Sequence, residues 1–160
     1  TGQVTRILTQ PEIQRPNGIA VTQDSQHLYL VDSCPVSGGN RKIWHFDLDE
    51  DGNPSNQTVV WDFAPGRGGD GMRLDTEGNL YIAAGINSAR GSHEATTVPP
   101  GIYIILPSGE MHGRIPIPED TITNLAFGGK DGKTIYVTAG KSIFTTRVNF
   151  PGQVSFPEWS

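Results

Sequence analysis

The sequence predicts an all-β chain, and three observations carry the prediction. Short apolar runs such as IAV, LYLV, LYIAA and TIYVTA are rich in β-branched and aromatic residues, with turn residues on either side. The chain's 20 glycines and 12 prolines punctuate these runs at strand-like intervals, and no segment shows helical periodicity. Most informative is self-similarity, because three stretches repeat one pattern of polar head, apolar strand, polar turn and apolar strand.

The first stretch is NGIAVTQDSQHLYLVDS from Asn17, the second DGMRLDTEGNLYIAAG from Asp70 and the third NLAFGGKDGKTIYVTAG from Asn124. Their heads lie 53 and 54 positions apart, and the tyrosines Tyr29, Tyr81 and Tyr136 keep step at 52 and 55. Each stretch reads as a hairpin, with Asp, Gly, Ser and Lys supplying the turn. KIWHFDL and TVVWDF follow the first as further strands, GIYIIL and EMHGRIPIP the second, and SIFTTRV the third. About four antiparallel strands per unit is the make-up of a propeller blade, and such blades usually number about four to eight around a channel. Three units therefore predict part of a ring. An open ring would expose an apolar blade face and unpaired strand edges, so a further piece is expected to complete it.

Composition narrows the function. Among 160 residues, 12 Lys+Arg stand against 17 Asp+Glu for a formal charge of −5, and no basic run marks a surface for nucleic acid or anionic lipid. No run approaches the ~18 apolar residues of a membrane span, and the start, TGQVTRILTQ, lacks a signal peptide's apolar core. A soluble chain is expected, its compartment left open. The single cysteine, Cys34, excludes an internal disulfide and reads as a small loop residue. No G-x-S-x-G elbow and no glycine-rich phosphate loop is present, which removes serine-hydrolase and nucleotide-binding readings.

The repeat assigns Asn17, Asp70 and Asn124 to one position in successive blades, facing a common axis. Oxygen side chains converging on a channel mouth suit a hard cation, since calcium takes roughly six to eight oxygen ligands and magnesium about six. The alternative is that they are turn residues bonded to nearby backbone amides.

In the order and spacing of RPNGIAVTQDSQHLYLVDS, GGDGMRLDTEGNLYIAAG and TNLAFGGKDGKTIYVTAG, the chain resembles the regucalcin/gluconolactonase (SMP-30-like) family over nearly its whole length. The resemblance implies a six-bladed propeller of nearly twice this length, of which residues 1–160 form the C-terminal half. It implies a divalent metal, calcium first with magnesium, manganese or zinc as alternatives, held by Asn17 and Asp70 and by a Glu from the absent blades. It further implies hydrolysis of a sugar-acid lactone, with the metal polarising the carbonyl and Asp70 taking a proton from the attacking water, or the metal itself activating that water. Asn124 is assigned to the substrate pocket, with a turn role as its alternative. The expected partners are the lactone and either the missing N-terminal half or a second copy of the chain. A noncatalytic propeller fragment serving as a binding or structural module is the competing reading.

The remaining residues read more plainly. His27, His45, His93 and His112 show no paired spacing, so a zinc site is not expected and they read as strand or surface histidines. INSARGSHEATTVPP predicts a long loop in the second blade, with Ser88, Arg90 and His93 as possible pocket residues. Trp44, Trp61 and Phe63 are expected to pack between blades. DLDEDGNPSN predicts a solvated turn, lacking the spacing of an EF-hand.

Overall fold

A computed structural model describes residues 2–89 and 91–154. Eleven strands and no helix occur among them. The first sheet runs β1 (Pro16–Val21), β2 (His27–Ser33), β3 (Arg41–Leu48) and β4 (Pro54–Asp62) in sequence order. The second runs β5 (Gly69–Leu74), β6 (Leu80–Ala84), β7 (Gly101–Ile105) and β8 (Met111–Pro116). The third has β9 (Ile122–Gly128), β10 (Thr134–Ala139) and β11 (Ser142–Arg147). All pairings between these strands are antiparallel. Consecutive strands thus build consecutive blades, and the chain is part of a β-propeller.

Local chemistry sets the first hairpin of every blade. The Asp24, Asp75 and Asp131 carboxylates each accept the backbone N–H two residues on, from Gln26 at 3.0 Å, Glu77 at 2.9 Å and Lys133 at 3.2 Å. These Asx turns close the loop without help from the core. The β3–β4 turn works the same way, Asp49 accepting the Asp51 and Asn53 amides at 3.0 and 2.7 Å, so the acidic DLDEDGNPSN stretch bonds its own backbone.

The blades meet along their first strands, β1 against β5 and β5 against β9. Close approach there explains two glycines. A Cβ on Gly18 would fall 2.7 Å from the Met72 nitrogen, and one on Gly71 would fall 2.7 Å from Asn124 Cγ. No side chain larger than hydrogen fits such a contact without displacing backbone.

Two apolar cores fill the gaps between blades. Tyr29, Val31, Ile43 and Phe63 of blade one face Met72, Leu80 and Ile82 of blade two. Tyr81, Ala83 and Ile102 of blade two face Ile122, Leu125, Ile135 and Val137 of blade three. On the other face of blade one, Leu28, Leu30 and Phe46 are covered by the N-terminal segment through Leu8 and Ile13. Trp61 and Phe63 pack between blades as expected, whereas Trp44 lies on that N-terminal face.

Among the described residues, blade three has three strands against the four expected. After β11 the chain turns back across the hairpin ends of all three blades: Gly152 donates to Gly132, Gln153 donates to Leu74 at 2.9 Å, and the Gln153 amide reaches the Val21 carbonyl. This tail lies at the opposite end of the first strands from the heads.

Candidate functional site

The heads sit at an irregularity of register, repeated in each blade, rather than in simple strand. Pro16 pairs with Asp32 and Ile19 with Leu30, so Asn17 and Gly18 together oppose one residue. Gly69 with Ala84 and Met72 with Ile82 frame Asp70 and Gly71 in the same way. In blade three, Ile122 with Ala139 and Leu125 with Val137 frame Thr123 and Asn124. A bulge of this kind re-aims side chains at the rim of a sheet.

That register corrects one assignment. Thr123, not Asn124, holds the place of Asn17 and Asp70, while Asn124 holds the place of Gly18 and Gly71. The Thr123 hydroxyl is bonded within its own blade, 2.9 Å from the Thr138 hydroxyl. Asn124 accepts the Leu125 N–H through Oδ1 at 2.9 Å and flanks Gly71. Sequence similarity had aligned the two asparagines because the hairpins of the three blades differ in length by a residue or two.

Asn17 and Asp70 do come together, lining one cavity of about 250 Å³ with Arg15, Arg41, Arg67 and Glu94. Asn124 does not line it. Asp32 fixes the Asn17 side of the cavity. Fully buried, it accepts the Gln14 and Arg15 N–H groups at 2.9 and 2.6 Å, the Asn40 amide at 2.9 Å and the Trp44 indole at 3.3 Å. Burial alone would raise its carboxyl, but the hydrogen bonds outweigh burial and hold it below the ordinary carboxylate range.

On the other side, Arg67 clamps Asp70. Its Nη2 donates to Asp70 Oδ2 at 2.8 Å and its Nη1 to the Ile122 carbonyl at 3.1 Å, tying the second head to the first residue of β9. Asp70 Oδ1 and the Asn17 amide carry no hydrogen bond among the described residues. Arg41 is 5% exposed and, among the described residues, donates to the Asn40 and His93 carbonyls, both at 3.4 Å. Three guanidinium groups against Asp70 and Glu94 leave the cavity one formal positive charge, in a chain of net charge −5.

The arginines were not singled out from sequence, since they lie on three separate segments and only the folded blades converge them. The long loop reaches the cavity through Glu94 and the His93 carbonyl. Ser88 instead donates its N–H to Asp120 at 3.2 Å, toward blade three, and Arg90 lies outside the described residues.

Comparison with known proteins agrees with this architecture. Residues 1–141 match the model of the SMP-30/gluconolactonase/LRE-like region. The chain belongs to the SMP-30/gluconolactonase/LRE-like family. It is 32% identical over 148 residues to a gluconolactonase of Zymomonas mobilis, covering 88% of this chain and 36% of that protein. It is 28% identical to a 6-deoxy-6-sulfogluconolactonase of Pseudomonas putida, covering 88% and 48% respectively. The chain thus spans less than half the length of these relatives. Among solved structures, a calcium-binding protein, regucalcin, from Agrobacterium tumefaciens superposes with a TM-score of 0.73 at 22% identity, over 95% of this chain and 51% of the other. A luciferin-regenerating enzyme superposes at 0.62 and 28% identity, over 79% and 38%.

Proposed function

We propose that the chain is the C-terminal half of a six-bladed lactone hydrolase of the gluconolactonase type and supplies part of its metal-dependent site. The observation that supports this most is the convergence of Asn17 and Asp70 on one polar cavity in a family whose named relatives include gluconolactonases.

The donor set fits a hard divalent cation, calcium first. Asn17 Oδ1 and Asp70 Oδ1 are neutral and anionic oxygens without other partners, the type that calcium and magnesium prefer. Such a cation, when bound, would supply Lewis-acid polarisation of a lactone carbonyl. The chain's own groups do the rest. Asp70 accepts a proton from the water that attacks the carbonyl carbon, and Arg67 keeps that carboxylate aimed by holding its other oxygen. Arg15 and Arg41 give the cavity a positive bias that favours a lactone bearing an anionic substituent.

Completion of the ring is part of this reading. The outer face of blade three exposes Tyr136 at 47% and Ile143 at 74%, a surface that a missing half or a second copy of the chain would cover. Intact mass and oligomeric state, followed by hydrolysis of D-glucono-1,5-lactone with and without EDTA, test the proposal. Turnover that EDTA abolishes and calcium restores, in a dimer or with a companion half, supports it. A completed ring with no metal-dependent turnover favours the noncatalytic module.

A further inference from the structure

At the opposite end of blade one from the cavity, the fold assembles a second group of donors. In the register of β2 and β3, His27 pairs with Asp47 and Tyr29 with His45. Side chains two apart on a strand share a face, so His27, His45 and Asp47 project together. His45 Nε2 lies 3.0 Å from His27 Nδ1, His27 Nδ1 lies 3.3 Å from Asp47 Oδ1, and His45 Nε2 lies 3.7 Å from that same oxygen. His27 and His45 are strand histidines, as expected, and the fold sets them side by side. The spacing is invisible in sequence because 18 residues separate His27 from His45.

We propose that His27 Nδ1, His45 Nε2 and Asp47 Oδ1 form a binding site for a zinc-class transition-metal ion. Three features carry the assignment. First, the triangle has the right size. Bonds of about 2.0–2.1 Å to a tetrahedral ion place ligand atoms about 3.3 Å apart, and the three edges of 3.0, 3.3 and 3.7 Å bracket that length. Second, the outer groups are already oriented. The Thr58 hydroxyl lies 3.3 Å from His45 Nδ1, and the Asn56 amide donates to Asp47 Oδ2 at 2.9 Å, leaving Nε2 and Oδ1 to face inward. Partners of this kind fix the ring orientation of a ligating histidine and the free oxygen of a ligating carboxylate. Asn56 holds its place in the left-handed region, with φ of 51°. Third, His27 and Asp47 side chains are 39% and 43% exposed, which leaves an entry path and room for a fourth ligand from water.

The donor chemistry separates this site from the head cavity. Two imidazole nitrogens and one carboxylate suit zinc, cobalt or nickel, whereas oxygen donors alone suit calcium or magnesium. The inference stands independently of the lactonase reading.

The test is calorimetric titration of the full chain with Zn²⁺ alone, with circular dichroism to check the fold of each variant. The expected result is binding that His45→Gln and Asp47→Asn each weaken by about tenfold or more, and that His112→Gln, on β8 away from both sites, leaves unchanged. Absence of Zn²⁺ binding, unchanged affinity in folded His45→Gln, or loss of binding in His112→Gln would overturn the proposal. Should His45→Gln not fold, the zinc K-edge spectrum of the wild-type complex decides: two imidazole ligands support the site, and an all-oxygen shell contradicts it.

Discussion

Tyr81 and Tyr136 hold the same register position in successive blades, opposite Arg73 and Ala126, yet one is 3% exposed and the other 47%. Blade two is sandwiched: every residue of β6 is buried, and Tyr81 meets the Phe127 ring of the next blade edge-on at 5.1 Å. Blade three is covered on one side only. In β10, Ile135, Val137 and Ala139 are buried against blade two, while Tyr136 and Thr138 face outward. A blade is therefore not a self-sufficient unit. Its second face is stabilised by whatever the ring places beside it.

The largest expected effect follows directly. In chemical denaturation of the full chain, Tyr81→Ala should cost about 3–5 kcal/mol, as removal of a buried aromatic does, whereas Tyr136→Ala should cost about 0.5 kcal/mol or less. Comparable losses at the two positions would mean that the open face is covered in solution, and would locate the partner surface.

Blade one sharpens the contrast. Its residue opposite Pro16 is the buried Asp32, where blades two and three carry Ala84 and Ala139. Asp32→Ala leaves the Gln14 and Arg15 amides and the Asn40 and Trp44 side chains without their acceptor, and should cost about 3 kcal/mol. Because the folded-state carboxyl is depressed, its stabilisation is present above the ordinary value of 3.8 and is lost as pH falls through the folded value. The stability difference between wild type and variant should therefore narrow on acidification below about pH 4. A pH-independent difference would show that packing, not the ionised carboxylate, holds the N-terminal segment.

A smaller effect is expected where blades two and three touch. Gly71→Ala drives a methyl group to within 2.9 Å of Asn124 Cα and should cost about 1–3 kcal/mol. Asn124→Ala, which removes one local hydrogen bond, should cost less than Gly71→Ala. The reverse order, read from denaturation midpoints, would contradict the close approach of β5 and β9.

Much of the fold was legible because its causes are local. Apolar runs of strand length, Asp-initiated turns and a repeat near 53 residues need no tertiary information, and they located all three hairpins. Even the asymmetry of blade three left a trace, since β10 reads TIYVTA with threonines where β6 reads LYIAA. The candidate site was legible only in part. Asn17 and Asp70 were marked by the glycines that follow them, residues required by the approach of the neighbouring strand. Asn124 was misaligned because the hairpins of the three blades differ in length by a residue or two, which no composition signal announces. Arg15, Arg41 and Arg67, like His27 and His45, were hidden by their separation along the chain.

The central claim rests on Asp70 acting as both an oxygen donor and a base. Asp70→Asn keeps the shape of the side chain and one oxygen but removes the proton acceptor, so hydrolysis of D-glucono-1,5-lactone by the completed ring, measured at saturating calcium, is the most direct test. The account predicts a loss of at least about 100-fold in kcat with the fold intact by circular dichroism. Turnover within a few-fold of wild type would contradict it.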